Sequence, residues 1–311
     1  MGIIAVSDVH LGYLREDGSK QSLSNKSGFC KLLKDEDVWD GIDHLVICGD
    51  MLDMWRRDMV GVTIENLDVL NLLQNLSSKN IKVHYLAGNH DYHIRHLNRS
   101  SYPFGFSEYK DPKEGIALKE GDKWYRFKHG YDLERGMAES EALFDLMCST
   151  SDESGEFKSL VYNSLGEFWK QGKQACGSIY REATKFFTGV DKTWKPDDSD
   201  KCKFLEGHKI SKPIQERLQT KDDFYFKVLN DSLDDDATLV FGHTHKPFHY
   251  QFENQTRINL GSWITTYQDH SIYLEIKDGQ EKLWNYDKGL VIPKEDKRAS
   301  ELDDICYCEP L

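Results

Sequence analysis

The sequence predicts an α/β protein with two central β-sheets flanked by helices. Three observations predict it. Short apolar runs alternate with amphipathic stretches as far as Ala87, and each run stops at a cluster of Asp, His, Asn and Gly. Beyond residue 236, short strand-like segments follow one another across polar turns. Strand, helix, strand order builds a parallel sheet with crossover helices. Ligands of such sheets gather beyond the carboxyl ends of the strands.

Ile3-Ile4-Ala5-Val6 is a continuous apolar run, the mark of a strand buried on both faces. Leu23 to Val38 reads as a helix. His44-Leu45-Val46-Ile47-Cys48 is a second buried strand, ending at Gly49-Asp50. Thr63 to Leu76 carries Ile64, Leu67, Val69-Leu70 and Leu72-Leu73, the pattern of a helix packed by one wide face. Ile81 to Ala87 is a third strand, ending at Gly88-Asn89, and Trp124 to Lys128 alternates like a strand and delivers His129. From about Leu133 to Asp235 the texture changes to long amphipathic helices. Thr238 to Phe241 resumes the sheet and presents Gly242-His243-Thr244-His245. Phe248 to Phe252, Arg257 to Leu260, Ile272 to Ile276 and Lys282 to Tyr286 then read as strands of an antiparallel second sheet. The expected division is a core of 1–132 and 236–290, a helical insertion of 133–235, and a loosely attached polar tail of 291–311.

Composition narrows the function. With 40 basic and 53 acidic residues the net charge is −13, so a nonspecific nucleic-acid coat is disfavoured. Ile3 to Val6 is too short to span a bilayer, and no leader or transmembrane segment is expected. The 7 cysteines are scattered, as reduced thiols of a cytoplasmic protein are, rather than spaced as a disulfide framework.

The chemistry sits at the strand ends. Asp8 and His10 are two apart, so both side chains leave the chain on one side and can reach one cation. His243 and His245 repeat that spacing. Asp50 follows a glycine on a turn where a carboxylate could bridge two ions, Asn89 offers an amide oxygen, and His129 another imidazole. Mixed oxygen and nitrogen ligands without thiolate suit Mn, Fe, Zn or Co and argue against Ca. Two divalent cations against two carboxylates and a bridging hydroxide leave about one positive charge to meet a phosphate anion. Arg56, Arg57 and Arg95 are candidates for a second phosphate, since guanidinium matches oxyanion geometry; a surface ion pair with Asp53 or Asp58 is the alternative.

Asp8-Val9-His10, Gly49-Asp50, Gly88-Asn89-His90-Asp91, Lys128-His129-Gly130 and Gly242-His243-Thr244-His245, in that order, resemble the calcineurin-like metallophosphoesterase family. The resemblance spans Met1 to about Asp287 outside the insertion. It implies a four-layer α-β-β-α sandwich of two mixed sheets, with the helical insertion capping the site. It implies that Asp8, His10, Asp50 and His245 hold one metal, and that Asp50, Asn89, His129 and His243 hold the other. Manganese is the first expectation, with Fe, Zn, Co or Ni as alternatives. His90 would contact the phosphate and protonate the leaving oxygen, with Asp91 orienting it. Asn259-Leu260-Gly261-Ser262 resembles the family's Asn-x-Gly-Ser loop.

Gly49-Asp50 followed by Asp53 and Trp55, the insertion, and Gly-His-Thr-His-Lys-Pro resemble the branch that includes UDP-2,3-diacylglucosamine pyrophosphatase. His90 departs from it, standing where that enzyme carries arginine, and the insertion is longer. The expected reaction is hydrolysis of a phosphodiester or pyrophosphate bond in a small nucleotide or nucleotide-sugar substrate. Its attacking group would be a hydroxide bridging the metals. The insertion would govern substrate choice or join copies into a homo-oligomer. Rival readings are a nuclease of the same family and a scaffold that keeps the fold without catalysis.

Overall fold

The apolar run Ile3–Val6 forms β1, buried along its length at the middle of a sheet. The computed structural model describes residues 1–14, 21–54, 57, 59–92, 94, 106–110, 115–131, 237–252 and 255–296. Beside β1 lie β2 (His44–Cys48), β3 (Lys82–Leu86) and β4 (Phe106–Lys110), all parallel to it. On its other edge, β10 (Ile272–Lys277), β11 (Gln280–Asn285) and β12 (Leu290–Ile292) run antiparallel in succession. The order of this first sheet is β12-β11-β10-β1-β2-β3-β4.

The second sheet holds β5 (Ile116–Glu120), β6 (Lys123–Phe127), β7 (Thr238–Phe241), β8 (Phe248–Phe252), β9 (Gln255–Asn259) and β13 (Lys294–Asp296). Its order is β13-β8-β9-β7-β6-β5, and it too mixes parallel with antiparallel pairs.

Side-chain alternation along β1, β2 and β3 divides the core. Ile4, Val6, Leu45, Ile47, Val83 and Tyr85 pack on the helices through Phe29, Leu32, Leu70 and Leu73. Their neighbours Ile3, Ala5, Val46, Cys48 and Leu86 face Tyr125, Phe127, Val240 and Ile258 of the second sheet. A strand buried on both faces favours apolar residues at every position, which is why Ile3–Val6 and Leu45–Cys48 are unbroken; β3 admits the buried His84, which meets His44 of β2 at 2.8 Å.

Every described helix contributes to the first of these cores: α1 (Lys26–Lys34), α2 (Glu36–Trp39), α3 (Met59–Glu65) and α4 (Leu67–Ser78). The helix expected from Leu23 to Val38 is two helices, broken at Asp35, whose backbone is extended. That expected from Thr63 to Leu76 breaks at Asn66, whose side-chain amide donates to the Val62 carbonyl at 2.7 Å.

Two expectations are corrected. The strands from Ile272 and Lys282 do not join those from Phe248 and Arg257 in one antiparallel sheet; β10 and β11 extend the first sheet through β1. Nor does a loose tail begin at 291, because Leu290–Ile292 pairs with β11 and Lys294–Asp296 with β8. Side chains there are mostly exposed, but Ile292 packs against the second core and Lys294 lies 3.7 Å from the Glu281 carboxylate.

The chain divides into one compact unit of Met1–Glu153 and Phe224–Glu309 and another of Ser154–Asp223. All described residues belong to the first. The expected insertion of 133–235 lies outside the described residues, as does the rest of the expected tail, 297–311. Among the described residues, no helix is long and apolar enough to cross a membrane, and Cys30 and Cys48 are free thiols.

Glu281 on β11 ties the two sheets. It pairs with Lys123 of β6 and with His249 of β8 at 3.1 Å. Burial works against its charge, but His249 and Lys123 outweigh burial and hold the carboxyl down at about 2. A depressed folded-state pKa stabilises above the unfolded pKa and is lost as pH falls through the folded value. From this shift the pair contributes at most about 3 kcal/mol, lost between about pH 5 and pH 2. Urea unfolding across that range should therefore destabilise the wild type more steeply than Glu281→Gln. Parallel pH profiles would show that Glu281 carries no such term.

Candidate metal centre

The loops that leave the carboxyl ends of β1, β2, β3, β6 and β7 bring Asp8, His10, Asp50, Asn89, His90, His129, His243 and His245 together, all buried. Backbone bonds continue the sheets into these loops. Asp8 N–H donates to Gly49 O at 3.1 Å, His10 N–H to Asp50 O at 2.9 Å, and Gly242 N–H to His129 O at 2.9 Å. Five of the residues adopt left-handed backbone: Asp8 (φ 53°), His10 (50°), Asp50 (52°), His243 (67°) and His245 (58°). For side chains other than glycine such conformations cost of order 1 kcal/mol or more each, and they persist where surrounding structure imposes them. Close approach explains two glycines. A Cβ on Gly88 would overlap the Asp50 carboxylate, and one on Gly242 would overlap Ser7 and Asp8.

Each carboxylate has one oxygen tied to protein donors and one turned inward. Asp8 Oδ2 accepts from the Ser7 hydroxyl at 2.5 Å and His243 N–H at 2.8 Å. Its Oδ1 lies 3.1 Å from His245 Nε2 and 3.6 Å from His10 Nε2. Asp50 Oδ1 accepts from His90 N–H at 2.8 Å. Its Oδ2 lies 3.7 Å from His10 Nε2 and 3.4 Å from His129 Nε2. Asn89 Oδ1 completes the second group, 2.9 Å from His129 Nε2 and 3.1 Å from His243 Nδ1. Asp8, His10 and His245 thus form one set with ligand atoms within 4.8 Å of one another, and Asp50, His129 and His243 another.

These atoms are the right chemistry for a cation. His129 Nδ1–H donates to the Cys48 carbonyl at 2.7 Å, so its neutral form aims the Nε2 lone pair at the oxygens of Asn89 and Asp50. The site's electrostatics show the same demand for positive charge. Burial opposes ionisation of Asp8 and Asp50, yet the surrounding imidazoles hold both well below the usual carboxylate range. Burial likewise opposes charging of His10 and His129, yet Asp53 and Asp8 lift His10 to about 10, and Asp50 lifts His129 to about 9. Divalent cations answer that pull with more charge than protons do, and displace them on binding. Burial wins at His245, which falls to about 4.

The carboxylate on His90 is Asp53, not the expected Asp91. His90 Nδ1 lies 3.2 Å from Asp53 Oδ1, and Asp53 is fully buried, with its other oxygen 3.7 Å from His10 Nδ1. Asp91 accepts instead from Gly88 N–H at 2.6 Å, Met51 N–H at 2.8 Å and Asp50 N–H at 3.2 Å, and from the Tyr85 hydroxyl. It locks the third loop onto the second, and burial beside Asp50 raises its carboxyl to about 6. The Gly-Asp-x-x-Asp spacing was the signal for Asp53. The adjacent arginines made it resemble a surface ion-pair partner. Arg57 pairs with Glu65, while Arg56 and Arg95 lie outside the described residues.

The family described as Calcineurin-like phosphoesterase matches residues 1–247. No curated protein matches the chain. Among solved structures, the chain is similar to Yfce, a phosphoesterase from E. coli, with 14% identity over 94% of this chain and 97% of that one, and a TM-score of 0.47. An archaeal phosphodiesterase is 11% identical over 94% and 100% of the two chains, with a TM-score of 0.38. A dimetal phosphatase from Danio rerio is 12% identical over 91% and 95%, with a TM-score of 0.39.

Proposed function

Because the chain belongs to the calcineurin-like phosphoesterase family, we propose that it hydrolyses a phosphodiester or pyrophosphate bond in a small nucleotide or nucleotide-sugar substrate, using two divalent cations, manganese first among them. One cation is assigned to Asp8, His10, Asp50 and His245, the other to Asp50, Asn89, His129 and His243. The observation that carries this reading is the single oxygen Asp50 Oδ2, which faces His10 of one set at 3.7 Å and His129 of the other at 3.4 Å. Cations held by these residues would lower the pKa of bound water and offset phosphate charge.

The chain's own groups do the rest. Asp53 accepts from His90 Nδ1–H and leaves Nε2 to face the substrate. Burial holds free His90 below its ordinary pKa, against the pull of Asp53 and Asp50. An entering phosphate anion favours the imidazolium. Its Nε2–H then protonates the departing oxygen.

Turnover of a substrate panel in Mn²⁺ tests the reading: p-nitrophenyl phosphate, bis(p-nitrophenyl) phosphate, a nucleoside diphosphate sugar and single-stranded DNA. Diester or diphosphate should exceed monoester by roughly tenfold or more in kcat/KM, and chelation should abolish the activity. Preference for the monoester or for DNA would refute the substrate class. No turnover of any of them would favour a scaffold.

A further inference from the structure

Three imidazoles of the centre direct Nε2 inward, and a different group stands behind each at Nδ1, within hydrogen-bond distance for His129 and His245 but not for His10. His129 donates to the Cys48 carbonyl at 2.7 Å, and His10 faces the Asp53 carboxylate at 3.7 Å. His245 meets the hydroxyl of Tyr267 at 2.9 Å, and the two rings stand edge to face, with centroids 5.0 Å apart. A carbonyl and a carboxylate can only accept. A phenol can also donate, so this third bond can run either way. With the phenol donating, Nδ1 holds the lone pair and Nε2 the hydrogen, and His245 cannot ligate through Nε2. With Nδ1–H donating to the phenol oxygen, the Nε2 lone pair faces Asp8 Oδ1 at 3.1 Å and His10 Nε2 at 3.2 Å.

We propose that Tyr267 is a positioning residue of the first cation site, accepting from His245 Nδ1 and so fixing both the tautomer and the ring plane of that ligand. The proposal rests on the assignment of Asp8, His10, Asp50 and His245 to one cation. His245 has most need of such a brace. Its side chain is 9% exposed, against 0% for Asp8, His10 and His129, so packing does not confine it on every side.

Tyr267 is itself held. It lies on the loop after β9, which is fastened at several points to the segment before α1. Asn25 N–H donates to Trp263 O at 2.7 Å, and Thr265 N–H to Leu23 O at 2.8 Å. Tyr267 N–H donates to Ile264 O at 3.2 Å, and His270 Nδ1–H to Tyr267 O at 3.0 Å. The same loop reaches Asp8, whose carbonyl accepts from Trp263 N–H at 3.0 Å. One segment therefore braces two ligands of the first cation. The partners found for the inward groups of the second set are other elements: Cys48 behind His129, and His129 and His243 around Asn89. The effect of losing the hydroxyl should be selective for one site.

Tyr267→Phe keeps the ring contact and removes the acceptor. Zn²⁺ titration against a chromophoric chelator should show one site weakened by roughly 10–100-fold and the other unchanged. The thermal midpoint of the metal-free protein should stay at the wild-type value. Two affinities equal to wild type would overturn the role of Tyr267 and leave the dinuclear assignment standing. Equal weakening of both sites, with a lowered midpoint, would make Tyr267 a folding residue and also overturn the proposal. Saturation of the wild type at one Zn²⁺ would refute the dinuclear assignment instead, so the two failures are distinguishable.

Discussion

Asp50→Asn is expected to lower kcat/KM on bis(p-nitrophenyl) phosphate by roughly 10³-fold or more, about 4 kcal/mol of transition-state stabilisation. In the proposed assignment Asp50 is the side chain shared by both ligand sets. Asp50 Oδ2 faces His10 and His129, while Oδ1 accepts from His90 N–H. Asparagine can keep that backbone bond with its one carbonyl oxygen, but it then turns an amide NH₂ toward the cations. Turned the other way, it presents the oxygen inward and leaves the His90 N–H facing an NH₂. Either orientation also removes one of the negative charges that oppose four positive ones. Retention of wild-type kcat/KM would refute the shared-carboxylate assignment.

His90→Ala should leave metal binding near wild type while cutting turnover by roughly 10²–10⁴-fold, the range expected for one general acid. The loss should shrink for p-nitrophenolate esters, whose leaving group needs no proton, and persist for alkyl esters. A competing geometry makes this informative. His10, Asp53 and His90 also place ligand atoms within 4.8 Å of one another. If His90 served as a ligand in that triad, the variant would lose metal together with activity, whatever the leaving group. Metal analysis and the leaving-group series on one preparation separate the two roles.

The strands and the inward-facing groups were legible in the sequence for the same reason. β1 is apolar throughout and β2 and β7 are apolar after their first residue, because both faces are buried; β3 is interrupted by His84, and the loops beyond β1, β2, β3, β6 and β7 each open on residue types suited to ligation. Sheet membership was less legible. The alternation of Ile272, Leu274 and Ile276 serves an inner face in either sheet, and only pairing with β1, far away in sequence, decides between them. Lys294–Asp296 is wholly polar and exposed, so no pattern marks it as a strand. Within the centre, Asp53 and Asp91 look alike in sequence. Folding alone turns Asp53 toward His90 and gives Asp91 to backbone N–H groups. Tyr267 carries no motif at all, and its place behind His245 depends on bonds between the loop after β9 and the segment before α1.

The most direct test of two cations sharing Asp50 is the number of Mn²⁺ ions bound per chain at saturation, measured on wild type and Asp50→Asn side by side. The wild type should saturate at two and the variant at one or none. A wild type that saturates at one, or a variant that still holds two, would contradict a carboxylate-bridged pair.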